Sequence, residues 1–212
     1  MTLRAILISL LMLPAISHTQ DGDLQRFVID AEHSWIRILV YRSGLMSGLG
    51  HNHVVEAHRI SGTVDRGKQM VDSKVDLQFP VDSLVVDDAD LRELEGEDYS
   101  GKISRQDIQG TRENMLGRRL LDAENFPVIQ VQSIVVEGEL DTLSVTADVT
   151  VAGITSSIKF PANVDSSGDV ITLSGNFSVR HEELGLKPYS AVFGLLKVRQ
   201  DMTVRFEIIA VQ

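Results

Sequence analysis

Leu143, Val145, Ala147, Val149 and Val151 alternate with Ser144, Thr146, Asp148 and Thr150, so every second residue of this run is apolar. Period two puts one set of side chains on one face of an extended strand and the other set on the opposite face. The pattern returns along the chain. In residues 34–41, Ile36, Ile38 and Val40 share a face opposite Trp35, Arg37, Leu39 and Tyr41. The charge on Arg37 assigns the first face to the interior. Residues 71–79 group Val71, Val75, Leu77 and Phe79 before Pro80 ends the run, and residues 170–179 group Ile171, Leu173, Phe177 and Val179. The last strand, 197–209, turns Val198, Met202, Val204, Phe206 and Ile208 inward. Less regular strands are expected at 25–30, at 54–64 with a bulge at Gly62, at 128–136, and at 155–164 with a break near Pro161.

About eight longer strands with turn residues between them, and no βαβ unit, make an antiparallel all-β protein, either barrel or sandwich. The 212 residues and 43% hydrophobic content suit one such domain, expected over 25–212. If the strands close as a barrel, side chains fill it or it holds one small ligand. The inward residues Ile36, Ile38, Val40, Val75, Leu77, Phe79, Val145, Val149, Leu173, Phe177, Val204 and Phe206 are the lining an apolar ligand needs.

One stretch differs in texture. From Ser83 to Asn125 the chain is charged and poor in β-branched residues. Two short helices are expected, one over 87–95 with its acids early and one capped by Ser104 and running to about Leu116. Gly110 costs the second about 1 kcal/mol relative to alanine. The insertion has too few apolar residues for a core of its own. Its run of Asp87, Asp88, Asp90, Glu93, Glu95, Glu97 and Asp98 reads as a solvated face, because the spacing does not match a calcium loop.

The N-terminus has a basic start, an apolar run over 5–16 too short to span a bilayer, and small residues at Ala15 and Ser17. This reads as a signal peptide over 1–17, followed by a loose stretch over 18–24, and implies a periplasmic or secreted protein without stable membrane insertion. The formal net charge of -10 argues against an electrostatic grip on nucleic acid or on an anionic membrane. No cysteine is present, which excludes disulfides and thiolate chemistry.

Gly50-His51-Asn52-His53 offers the strongest candidate chemistry. Histidines two apart on a strand point to one face and can share a metal, with His181, His33 or His58 as a third ligand. The alternative is polar structure at the mouth of the fold. Asp30, His33 and Ser34 contain the residue types of a hydrolytic triad, but adjacent residues on a strand point apart, so a polar corner is expected there. Phosphate-binding loops, nucleophile elbows and zinc-protease motifs are absent, and no catalytic residue is assigned.

Four stretches in order resemble the YceI family of secreted bacterial proteins. Phe27-Val28-Ile29-Asp30-Ala31-Glu32-His33-Ser34 is similar to its opening strand. Arg112-Glu113-Asn114-Met115-Leu116 with Leu121-Asp122 and Phe126-Pro127 is similar to its central helix and exit. Val149-Thr150-Val151-Ala152-Gly153-Ile154-Thr155 resembles its hairpin, and Leu184-Gly185-Leu186-Lys187-Pro188 its loop before the last strand. Met115 stands where the family usually has a histidine, and Leu120-Leu121 where it has an aromatic pair. The resemblance implies an extended antiparallel lipocalin-like β-barrel holding a long polyisoprenoid or quinone-like chain, with no other cofactor. The expected function is therefore non-enzymatic lipid binding, for transport or storage. Two alternatives stand beside it: a metal-binding protein or metal-dependent enzyme centred on His51 and His53, and an accessory barrel with a filled core that docks through its acidic insertion. A homodimer is compatible with each.

Overall fold

A computed structural model describes residues 24–139 and 142–212. The expected leader, 1–17, and the loose stretch apart from Leu24 lie outside the described residues. The chain runs β1 (Gln25–Ile29), β2 (Trp35–Ser43), β3 (His53–Ala57), β4 (Ser61–Arg66), β5 (Lys74–Pro80), β6 (Val85–Val86), α1 (Ala89–Leu94), α2 (Arg105–Leu116), β7 (Val128–Glu139), β8 (Thr142–Val151), β9 (Ile154–Ser167), β10 (Val170–Arg180), β11 (Ser190–Ala191) and β12 (Leu196–Val211).

Every pairing is antiparallel. The order β1-β4-β5-β7-β8-β9-β10-β12 closes on itself where Val28 and Ile29 meet Val211 and Ala210. Further along, β12 pairs with β2, β2 with β3, and β3 with β6. β1 and β2 are thus the two halves of one bent wall strand, as are β3 with β4 and β5 with β6. Counted this way the wall is a closed eight-stranded antiparallel barrel with few helices.

Side-chain hydrogen bonds fix the bends. At the first, Asp30 accepts the backbone N–H of Glu32 and of His33, and the His33 ring donates to its carboxylate at 2.7 Å. Ser34 Oγ then donates to the Ile209 carbonyl at 3.2 Å and accepts the Ile209 N–H at 2.9 Å, bridging the gap left in the ladder. This is the polar corner expected of these residues. At the third bend, Ser83 Oγ lies 2.6 Å from both the His58 and the Pro80 carbonyl, which ties the second bend to the third.

Four strand expectations need correction. Residues 54–64 are two strands, because the chain turns at Arg59, whose φ is 56°. Gly62 is not a bulge: the register passes through its pairing with Leu77 unshifted, and a Cβ there would run into the Asp76 carbonyl. Val71 is exposed, since it sits in a short 3-10 turn, Met70–Asp72, ahead of β5. β9 continues through Pro161, which is paired with Ser144 of β8. The proline is tolerated because pairing between β9 and β10 stops at Asn163 and Ser174, leaving no ladder bond on that side for it to break.

The insertion forms a second layer outside the barrel. α1 and the turn Glu97–Tyr99 lie over β2 and β3, where Tyr99 and Leu91 join Leu39, Val54 and Tyr41 in a small cluster. This corrects the reading of the charges. Arg37 does face away from the lumen, but it is buried under the insertion. It bonds Glu56 at 2.7 and 2.9 Å and Glu95 at 2.7 Å, and Glu95 also takes Arg205 at 2.6 Å. Asp87 and Glu95 are buried, while Asp88, Asp90, Glu93, Glu97 and Asp98 do not share that burial.

Candidate functional site

Alternation around the wall turns one face of each strand into the lumen, and the lumen is hollow. It encloses a cavity of about 1760 Å³. Pockets for drug-sized ligands are typically about 300–1,000 Å³, so this one has room for a longer molecule. The filled-core alternative is overturned by this space. All twelve residues expected to face inward line it: Ile36, Ile38 and Val40 on β2, Val75, Leu77 and Phe79 on β5, Val145 and Val149 on β8, Leu173 and Phe177 on β10, and Val204 and Phe206 on β12.

Aromatic rings form the lining's largest features. Phe160 and Phe177 stack at 4.6 Å between centroids, and Phe206 meets both edge-on at 6.0 and 6.5 Å. Gly175, beside them, admits the Phe206 ring, since a Cβ there would overlap it. Phe160 was not picked out from the sequence, although it alternates with Ile158 and Ala162 in the run around Pro161.

α2 lies along the cavity as well. Ser104 caps it by accepting the Asp107 N–H at 3.1 Å. Ile108, Met115 and Leu116 pack on the barrel core, while Gln106, Gln109, Gly110 and Asn114 border the open space. These polar groups were missed because a helix with a weak apolar stripe gives no sign of which side meets a lumen. Nothing lies within 4 Å of where a Cβ on Gly110 would be, so an alanine would fit there without a clash.

The histidine stretch lies at the end of the cavity bounded by the β2–β3 connection. His51 and His53 both border it, with ring centroids 6.4 Å apart. His53 Nδ1 donates to Asp87 Oδ2 at 2.6 Å. The other oxygen, Oδ1, accepts the Val54 N–H at 3.0 Å and Arg92 Nη1 at 2.7 Å. Arg92 also reaches the Asn52 carbonyl at 2.8 Å, and the Asn52 side chain accepts the Arg42 N–H at 3.0 Å and donates to the Asp98 carbonyl at 3.3 Å. Burial pushes the Asp87 carboxyl up, but His53, the Val54 N–H and Arg92 outweigh it and hold the group below the usual carboxylate range.

His181 also borders the cavity, yet its Nδ1 donates to the Gln200 carbonyl at 2.9 Å, bracing the register shift between Val198 and Met202. His33 and His58 take part in the bends instead. Among the described residues, no three His, Cys, Asp or Glu side chains come together in a way that could hold a metal ion. The geometry therefore offers a large apolar container with a braced polar cluster at one end.

The chain matches the YceI-like domain over residues 27–210. No curated protein sequence matches it. Among solved structures it is similar to Burkholderia cenocepacia BcnA, with 13% identity, a TM-score of 0.61, and coverage of 86% of this chain and 99% of that one. A polyisoprenoid binding domain from Saccharophagus degradans, implicated in plant cell wall breakdown, superposes with 15% identity and a TM-score of 0.55, covering 87% and 97% of the two chains. The Campylobacter jejuni YCEI protein gives 13% identity and a TM-score of 0.54, covering 74% and 84%. At such identities the likeness shows a shared fold.

Proposed function

Because the chain belongs to the YceI-like family, we propose that it carries or stores a long apolar lipid, of polyisoprenoid or prenyl-quinone type, in its barrel. Members of that family are binding proteins and not known enzymes. The observation that carries the reading is the cavity of about 1760 Å³, whose strand-borne lining is mainly aliphatic and aromatic. Each CH₂-sized group moved from water into such a lining contributes about 0.8 kcal/mol, before the costs of association. A prenyl chain has many such groups and few polar atoms to satisfy, which suits the apolar strand faces that turn into the lumen. Its polar head would lie near His51 and His53. Secretion to the periplasm or beyond, as the N-terminal segment implies, would place the protein where such lipids must cross water.

The test is uptake by delipidated protein, read by native mass spectrometry after incubation with a polyprenyl quinone or a polyprenol in micelles. One bound molecule per chain is expected, and Val149→Trp together with Val204→Trp, which narrow the lumen, should abolish it. If the unmodified protein takes up neither lipid, the reading fails.

A further inference from the structure

Two loops at the cavity's end carry features that lipid storage alone does not require. One connects β2 to β3, over 44–52; the other includes the β11–β12 hairpin, over 185–199. They are joined where Met46 N–H donates to the Leu195 carbonyl at 2.8 Å, and Gly44 packs against that same carbonyl. Leu49, His51, Tyr189, Leu196 and Lys197 from these loops border the cavity, so the pair stands over one end of it.

Their apolar side chains point into solvent. Phe193 is fully exposed, Leu45 is 92% exposed, and Leu49 and Val192 are at least half exposed. Scattered exposed leucines are ordinary, but four exposed apolar side chains on two loops that are hydrogen-bonded together suit an interaction surface. The backbone keeps them there. Val192 and Phe193 have φ of 50° and 53°, a left-handed pair that a β-branched and an aromatic residue rarely adopt. Such strain persists where the presented side chain matters more than the local cost.

Charge identifies the partner. The segments 42–52 and 184–200 contain Arg42, Lys187, Lys197 and Arg199 and no carboxylate, in a chain whose net charge is -10. Arg199 has Asp201 at 3.6 Å, whereas no carboxylate pairs with Arg42, Lys187 or Lys197 among the described residues. Apolar side chains surrounded by cations fit the headgroup boundary of a bilayer, where the first enter the acyl region and the second meet anionic lipid. The chain-wide negative charge, which argued against such a grip, does not describe this end of the molecule.

We propose that these two loops dock the protein on the surface of an anionic phospholipid bilayer, with this end of the cavity facing the membrane. The purpose of docking rests on the carrier reading, but docking is measured without any carried lipid. Delipidated protein is sedimented with vesicles of phosphatidylethanolamine and phosphatidylglycerol, and in parallel with vesicles of phosphatidylcholine alone. Binding to the anionic vesicles is expected, and it should weaken with salt. Replacing Phe193 with Ser should lower vesicle affinity roughly tenfold to a hundredfold, the order expected for one buried phenylalanine. Lys187→Gln and Lys197→Gln should each lower it roughly fivefold, on anionic vesicles only. All these variants should keep the far-UV circular dichroism and the Tm of the unmodified protein, which shows that they fold.

Absence of binding to anionic vesicles, or binding unchanged by Phe193→Ser, would overturn the proposal. So would a dimer in sedimentation velocity that is lost in Phe193→Ser without any vesicle binding, since the loops would then cover a second copy. Docking by a protein that takes up no quinone from micelles would leave the membrane surface standing and remove the carrier reading.

Discussion

Asp87 holds three donors from two parts of the chain: the His53 ring and the Val54 N–H of β3, and the Arg92 guanidinium of α1. Replacing it with Asn leaves a buried arginine without its counter-charge, and removing one partner of such a pair costs about 3–5 kcal/mol. Denaturant unfolding of Asp87→Asn at neutral pH should show a loss of that order. The pH dependence has a defined sign. A carboxyl held below its ordinary value contributes stability above the unfolded value of about 3.9, and that contribution is lost as pH falls through the lower folded value. The difference between the two proteins should therefore shrink in acid titrations below about pH 4. Nothing in the sequence separates Asp87 from Asp88 and Asp90, because burial there is decided by a strand more than thirty residues earlier. Gly62 is a simpler case: alanine would collide with the backbone of β5, so Gly62→Ala should cost about 3 kcal/mol in the same measurement.

At the scale of elements, alternation reported faces faithfully and bends poorly. β2, β5, β8, β10 and β12 each turn the expected side into the lumen, since period two is a local property that burial on one side selects. The corners at Arg59 and Ser83 were not legible, because a bent strand keeps the same apolar content as a straight one. Nor could the pattern show a second layer. It sorted Arg37 to the side away from the lumen, and only the insertion decides that this side is not water. Tyr99 anchors that layer on Leu39 and Val54. Tyr99→Ala should cost about 3–5 kcal/mol, the range for a large buried ring. Amide exchange over 87–101 should quicken more than exchange in β8 and β9, which pair with neither β2 nor β3.

For the whole molecule, a ligand that binds only the closed barrel stabilises it by mass action. Prenyl quinone at about one hundred times its dissociation constant should add about 2.7 kcal/mol, visible as a higher Tm on refilling delipidated protein. The barrel was legible as a count of strands and a resemblance; its hollowness was not, because the same side chains fill a lumen or line one depending on how the walls are spaced. That spacing is unequal around the circumference. Between β9 and β10 the ladder covers only Asn163–Ser167 and Val170–Ser174. Below it the two strands meet through the Phe160–Phe177 stack and the packing of Ile158 against Val179 and Met202. Where strands are paired along their length, as β10 is with β12 and β8 with β9, a change in girth would break directional bonds in a row. Along this joint it would only slide rings and aliphatic groups past one another, at a cost that rises gradually. This joint can thus give without unzipping the paired walls, and a thicker guest, if the barrel carries one, would be accommodated here by sliding contacts.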